Sequence, residues 1–456
     1  MDDVKPQVQL ATHLTDLGNA ERFVREHGKN VRFCHAWKRW LVWDGQRWSI
    51  DGDGHVRRLA KATVRSIYHE AAFTTEKHER TAIAKWAQRS ERCDRINAML
   101  KLSESEEGVP IAVDEMDSHP WLLNCANGTL DLETYELRRH TRGDLLTKMA
   151  PVKYPTENVK CPLWLNFLDQ IFDSDRDLIS FVKRILALSL IGNVQEHVLP
   201  IFYGIGANGK SVLIETWLRI LGQDYSMKGP HELLMLKRTD SHPTERADLH
   251  GKRFVAVVES GEGRRLNESL VKELTGGDRI RARRMRQDFW EFTPSHLPVL
   301  ITNHQPVVRG TDIGIWRRLK LVPFSVTIPE EKQDPDLVNK LQCEGGHILR
   351  WAVGGIIEWR NLGLNEPESV KAATDVYRQS QDVLRTFLAD RCVEHDNART
   401  TAKSLYGAYV IWCRESGERE TSQRQFGMAM TERGFDRQSI NGRTWYLRIG
   451  IALDEG

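Results

Sequence analysis

Apolar positions change period several times along this 456-residue chain, and each change marks an expected element. Between residues 37 and 55, short runs carrying Trp37, Trp40, Trp43 and Trp48 are split by Asp44-Gly45 and by Asp51-Gly52-Asp53-Gly54. Aromatic runs broken by such pairs predict a small β-meander. A charged helical stretch is expected from Val56 to about Leu102, then a hairpin over 121–132 with Asn127-Gly128 as its turn. Helical spacing returns at Trp164, Phe167, Leu168 and Ile171 and again at Leu178, Phe181, Val182 and Ile185, as in a helical connector. Three unbroken apolar runs follow at 198–203, 254–258 and 297–302, with the length and character of buried parallel strands. After the first run, Val212, Leu213, Trp217, Leu218 and Leu221 recur at helical spacing. A fourth strand at 320–324 and a helical stretch at 336–359 close this unit. The tail, distinct from about Ala373, shows helical runs at 403–415 and 422–434, then FDRQSINGRTWYLRIGI with Asn441-Gly442 as a type I′ turn. Helix, helix and a basic two-stranded wing predict a winged helix, with Arg424, Arg433, Arg437, Arg443 and Arg448 suited to DNA and a domain-packing role as the alternative.

The fold class expected is α/β, in four parts. Residues 1–155 form an N-terminal α+β domain, 156–194 a helical connector or collar, 195–365 a P-loop ATPase domain and 366–456 the winged-helix-like domain. A formal net charge of +2 is nearly neutral, so any nucleic-acid contact must come from a local basic patch. No apolar leader and no run of membrane-spanning length is visible, so no membrane partner is expected. Seven scattered cysteines without a CxxC pair argue against a disulfide framework or structural zinc and fit a reducing cytoplasm.

The chemistry concentrates after residue 200. GIGANGKS, from Gly204 to Ser211, stands between an apolar strand and a helix, the context a phosphate-binding loop needs. Gly204, Gly206, Ala207, Asn208, Gly209, Lys210, Ser211 and Val212 are the expected ATP contacts. The loop N–H groups face a polyphosphate, Lys210 reaches the β/γ-phosphates and Ser211 offers its hydroxyl to Mg²⁺. The run 254–258 ends in Glu259, the acid expected to order Mg²⁺ and polarise the attacking water, with Glu262 in reserve. Asn303, at the end of the third run, is placed to sense the γ-phosphate or hold the water. An asparagine capping a turn before Gln305-Pro306 is the alternative. Between these strands, Arg279, Arg281, Arg283, Arg284 and Arg286 follow Gly276-Gly277-Asp278 in partial alternation. That pattern suits an extended arm on a phosphate backbone, or else a solvated edge strand. Arg317 and Arg318 precede the last strand, where an arginine finger or a surface ion pair would fit. The tryptophans at 37–48 read as a small-sheet core, with stacking of single-stranded bases as the alternative.

GxxxxGKS, VVES, LTGGDRIRARRM, ITN and WRRLKLVPF, in that order within about 120 residues, resemble the superfamily 3 helicases. The nearest likeness is to the phage and plasmid primase–helicase family with its poxvirus relatives. LTDLGNAERFV, LVWDGQRW and NGTLDL are similar to the region preceding the motor in that family. The resemblance implies an AAA+-like ATPase that forms hexameric rings and unwinds duplex DNA by moving on single strands, 3′-to-5′. It implies ATP and Mg²⁺ as cofactors and single-stranded and forked DNA as partners. It also implies Lys210, Glu259 and Asn303 as catalytic groups, Arg318 or else Arg317 as the finger, and Arg283 and Arg284 at the tip of a channel hairpin. A separate primase or replication initiator and a bacterial host cytoplasm complete the expectation. An archaeo-eukaryotic primase domain has no room upstream, so priming is not expected. Two other functions stay open: an origin-binding initiator using ATP as a switch, and a P-loop motor that moves DNA without unwinding it.

Overall fold

The computed structural model describes residues 13–157, 159–237, 244–259, 261–284, 288–309, 313–418 and 420–452. Near the N-terminus, the helix Asp16–His27 is capped by Thr15, whose hydroxyl accepts from the Gly18 N–H at 3.0 Å. An antiparallel sheet of β1 (Val31–Cys34), β2 (Arg39–Trp43) and β3 (Trp48–Ile50) follows. Asp44 folds the β2–β3 turn by accepting from the N–H groups of Gln46 and Arg47, both at 2.8 Å. Trp48 is fully buried and packs 5.8 Å from Trp43, so these rings serve a small core. Asp51-Gly52-Asp53-Gly54 is not a hairpin turn. Asp51 instead caps the helix His55–Phe73, accepting from the N–H groups of His55 (2.8 Å) and Val56 (3.0 Å). The charged stretch breaks into that helix plus Lys77–Ser90 and Cys93–Ser103.

A second small sheet comprises β4 (Leu122–Cys125), β5 (Gly128–Asp131) and β6 (Leu137–Arg138). Its turn is one residue earlier than expected: Cys125 pairs with Gly128, leaving Ala126 and Asn127 at the corner. Gly128 is in the strand because a Cβ there would lie 2.5 Å from the Arg138 carbonyl oxygen. The connector is two helices, Pro162–Ile171 and Arg176–Leu188.

The central sheet has five parallel strands, β7 (Leu199–Tyr203), β8 (Ser226–Gly229), β9 (Phe254–Glu259), β12 (Leu297–Thr302) and β13 (Leu319–Pro323). They lie in the order β13-β7-β12-β9-β8. Between β9 and β12 the chain makes a separate antiparallel hairpin of β10 (Ile280–Ala282) and β11 (Trp290–Phe292). Strand alternation sorts the sheet's side chains into two layers. Phe202, Phe254, Ala256, Val299 and Ile301 face a core shared with Trp164, Phe167, Phe181 and Trp217. Leu199, Ile201, Val255, Val257 and Leu300 face the opposite core with Leu270, Ile315 and Tyr377. Burial on both faces explains why these strands read as unbroken apolar runs.

The first core also takes in Leu123, Leu130 and Tyr154, so it continues across residues 155 and 194 without a seam. Arg253 sits fully inside this junction. Its guanidinium donates to the carbonyls of Leu190 and, at 2.6 Å, Leu122, and lies 4.7 Å over the Tyr225 ring.

The tail has its own core around Phe387, Tyr409, Trp412 and Phe426. Helices Ala402–Glu415 and Gln423–Glu432 precede the hairpin of β15 (Arg437–Ile440) and β16 (Arg443–Ile451). Asn441 and Gly442 both have positive φ, at 50° and 72°, as a type I′ turn requires. A third strand, β14 (Cys392–Thr401), pairs with β16 and was not foreseen. Several tail arginines are bound internally: Arg433 to Asp382 at 2.5 Å, Arg437 to the Gly427 carbonyl and Arg448 to Asp436 at 3.6 Å. Among the described residues, no helix is long and apolar enough to cross a membrane.

Candidate nucleotide and nucleic-acid sites

The loop between β7 and the helix Lys210–Tyr225 turns through three left-handed residues, Gly206 (φ 52°), Ala207 (φ 45°) and Gly209 (φ 81°). Left-handed residues interspersed in a short loop turn successive N–H groups toward one concavity. The loop is held from behind. A Cβ on Gly209 would come 2.4 Å from Ile171 of the connector, and one on Gly204 would meet the Phe324 carbonyl oxygen at 2.4 Å. The Ala207 carbonyl accepts from the Ile328 N–H at 2.7 Å. Lys210 is 4% exposed, and its ammonium donates to the Gly204 carbonyl (2.6 Å) and to Asn208 Oδ1 (3.0 Å). Burial without a carboxylate partner pulls its pKa down to about 8. Asn208 is buried and reaches the Phe324 carbonyl at 3.4 Å, while Gly206, Ala207 and Ser211 are exposed and Val212 is half-buried. An ammonium whose partners among the described residues belong to its own loop, beside an open hydroxyl, fits a phosphate–metal ligand.

Strand register sets the other groups beside this loop. Thr302 of β12 stands level with Tyr203 of β7 on one side and Glu259 of β9 on the other. At about 4.8 Å per strand, the ends of β7 and β9 are about 10 Å apart, with Asn303 emerging between them. Asn303 is exposed, and Thr302 reverses the chain behind it through a 2.6 Å bond to the His304 carbonyl. Glu259 is only 6% exposed. Its Oε1 accepts from the Gly261 N–H at 2.7 Å, and its buried Oε2 has no hydrogen-bond partner among the described residues. A carboxylate oxygen in that state fits a cation or a bound water. Glu262 is exposed in the turn beyond.

Arg317 and Arg318 lie elsewhere. Leu319 pairs with Leu199 at the start of β7, so both arginines stand at the amino edge of the sheet, opposite the loop. Arg317 is exposed beside Glu196, His197, Lys320 and Glu366. Arg318 is buried and donates to the Gly314 carbonyl at 2.9 Å.

The arginine-rich segment folds as the β10–β11 hairpin. Arg279, Arg281, Arg283 and Arg284 are all exposed; Arg286 lies outside the described residues. The hairpin's inner face packs on His250, whose ring is 4.9 Å from Trp290 and 5.3 Å from Phe292. Burial, helped by nearby Lys148 and Arg284, lowers that histidine's pKa to about 4. The seating of the loop on Ile171 and Phe324 had no sequence signal, because those contacts join residues distant along the chain.

Comparison with known proteins places these features in a family. Residues 20–173 match the family described as "D5 N terminal like", and residues 202–318 match a family of unknown function. "Putative helicase L207/L206" of Acanthamoeba polyphaga mimivirus is 28% identical over 316 residues, 64% of this chain and 32% of its own length. "Putative helicase 184R" of Invertebrate iridescent virus 6 is 24% identical, covering 69% of this chain and 36% of that protein. "Putative primase C962R" of African swine fever virus is 25% identical over 66% of this chain and 34% of its own length. The chain thus spans about a third of the length of these relatives. In fold it is similar to the NrS-1 C-terminal region, with a TM-score of 0.54 at 14% identity, over 95% of this chain and 99% of that one.

Proposed function

The chain belongs to the D5-like primase–helicase family, and we propose that it is the ATP-dependent helicase motor of a phage, plasmid or integrated element. The names of its relatives support a replication helicase-like function. The observation that carries the finer reading is the shared carboxyl edge of the parallel sheet. There the ends of β7, β12 and β9 lie in register, followed by the loop to Lys210, by Asn303 and by Glu259 itself. We read residues 195–365 as an AAA+-like ATPase, 1–155 as the α+β domain ahead of it, 156–194 as the collar and 366–456 as a winged helix.

In this reading ATP–Mg²⁺ supplies the transferable phosphoryl group and its counter-charge. The N–H groups of the loop from Gly204 to Gly209 would cradle phosphate oxygens, and Ser211 and Glu259 would hold the metal. Lys210 exchanges its two loop acceptors for phosphate oxygens. Glu259 Oε2 accepts from the attacking water, and Asn303 orients that water. Arg318, with Arg317 beside it, completes the site of a neighbouring subunit in a hexameric ring. The arginines of the β10–β11 arm hold the phosphates of single-stranded DNA. A switch-type initiator or a non-unwinding DNA motor would share the nucleotide site but not the unwinding. The test is ATP hydrolysis with and without single-stranded DNA, together with strand displacement on a forked duplex. DNA-stimulated turnover with displacement from a 3′-tailed fork is expected. Stimulated turnover without displacement favours a motor that only moves DNA, and turnover indifferent to DNA favours the initiator.

A further inference from the structure

The β10–β11 hairpin has two chemically different faces. Ile280 and Ala282 are fully buried and Phe292 nearly so; with Trp290 they point to His250 and the body of the protein. By strand alternation Arg281, Arg283, Phe289 and Glu291 occupy the opposite face, and all four are exposed. Phe289 is the unusual member. Next to a strand whose inner face carries buried Phe292 and half-buried Trp290, it stands 47% exposed. Two cations flank its ring: the guanidinium carbons of Arg281 and Arg283 lie 4.4 and 5.2 Å from its centroid. Such contacts at an exposed site are worth little and give way readily.

We propose that Phe289 is a base-stacking residue of the arm. A single strand laid along this face would give its phosphates to Arg281 and Arg283, and one unpaired base would stack on the ring they flank. Every base has a π-face, so the contact tolerates any sequence. It also demands an unstacked base, which a duplex does not offer, so the same hairpin face selects single strands. The inference rests on the arm reading made above and adds to it a contact that phosphate chemistry alone would not supply.

The test measures equilibrium binding of the full chain, with a non-hydrolysable ATP analogue, to oligothymidylate and to an abasic oligomer of equal length across a salt series. Phe289→Ala and Phe289→Leu should each weaken thymidylate binding about ten-fold, leave abasic binding unchanged and keep the salt slope. Phe289→Trp should retain the preference for bases. The leucine variant preserves apolar volume, so a fold defect in the alanine variant alone does not decide the matter. Wild-type thymidylate affinity in Phe289→Leu, or equal losses on both oligomers, would overturn the assignment. If the wild-type protein shows no salt-dependent binding to either oligomer, the arm reading itself fails. If only Arg281→Ala and Arg283→Ala alter binding, the arm stands and the stacking residue is lost.

Discussion

The two edges of the central sheet differ in kind. At the carboxyl edge, three strand ends lie in register, leading to the Lys210 loop, to Asn303 and to the buried carboxylate of Glu259. At the amino edge of β13, Arg317 and Arg318 stand at the opposite end of the sheet from the phosphate-binding loop. Four residue steps separate Leu319 from Pro323, about 13 Å along the strand. An arginine at that distance cannot reach the loop of its own subunit. On the proposed reading, the two edges are halves of a site that a second copy would join.

The strongest way to break the comparison is to empty the carboxyl edge. Lys210→Ala should abolish nearly all ATP turnover, on the order of 10³-fold or more, because the phosphates lose their only buried cation there. Glu259→Gln should bind nucleotide normally and fail to hydrolyse it, as nucleotide-binding and phosphate-release assays would report. Wild-type turnover in Glu259→Gln together with loss in Glu262→Gln would move the acid three residues along the chain.

The amino edge is tested by mixing. Arg318→Ala should bind ATP and hydrolyse it roughly 10³-fold more slowly. Mixed with Lys210→Ala, it should regain part of the activity, because some interfaces then pair an intact loop with an intact finger. Background activity in rings shown to have mixed would discard Arg318 as a finger acting on its neighbour and pass the same design to Arg317.

The smallest effect sharpens the picture of Lys210. With a pKa near 8 in the free protein, about half of its ammonium groups are neutral at pH 8. Phosphate contact favours the charged form, so ATP binding at pH 8 should take up about half a proton, and almost none two units lower. Affinity should therefore fall as pH rises past 8. Calorimetry in buffers of different ionisation enthalpy measures the uptake, and Lys210→Ala should remove it.

The carboxyl edge was largely legible in the sequence because its signals are local. Spacing placed the glycines, Lys210 and Ser211, and the buried strands ended where apolar runs ended. Asn441-Gly442 was equally plain, since only a turn with two positive φ angles asks for that pair. Asp51 misled because an aspartate before glycines serves a helix cap and a hairpin turn with the same hydrogen-bonding chemistry. Neither β14 nor the packing of Ile171 beneath Gly209 was visible, because pairing and close approach between distant segments leave no periodic trace.

Arg253 has a mechanical consequence. Its guanidinium ties the loop before β9 to the connector through Leu190 and to the N-terminal sheet through Leu122. Sliding any of the three against the others would break charge-assisted bonds to a buried cation, at about 1.5–3 kcal/mol for each bond lost. That clamp makes the N-terminal region, the connector and the sheet one stiff chassis rather than hinged parts. On the proposed reading, any displacement that nucleotide drives would leave this chassis at its margins, through the β10–β11 arm and the amino edge of the sheet. In that reading, force would pass outward while the frame stays still.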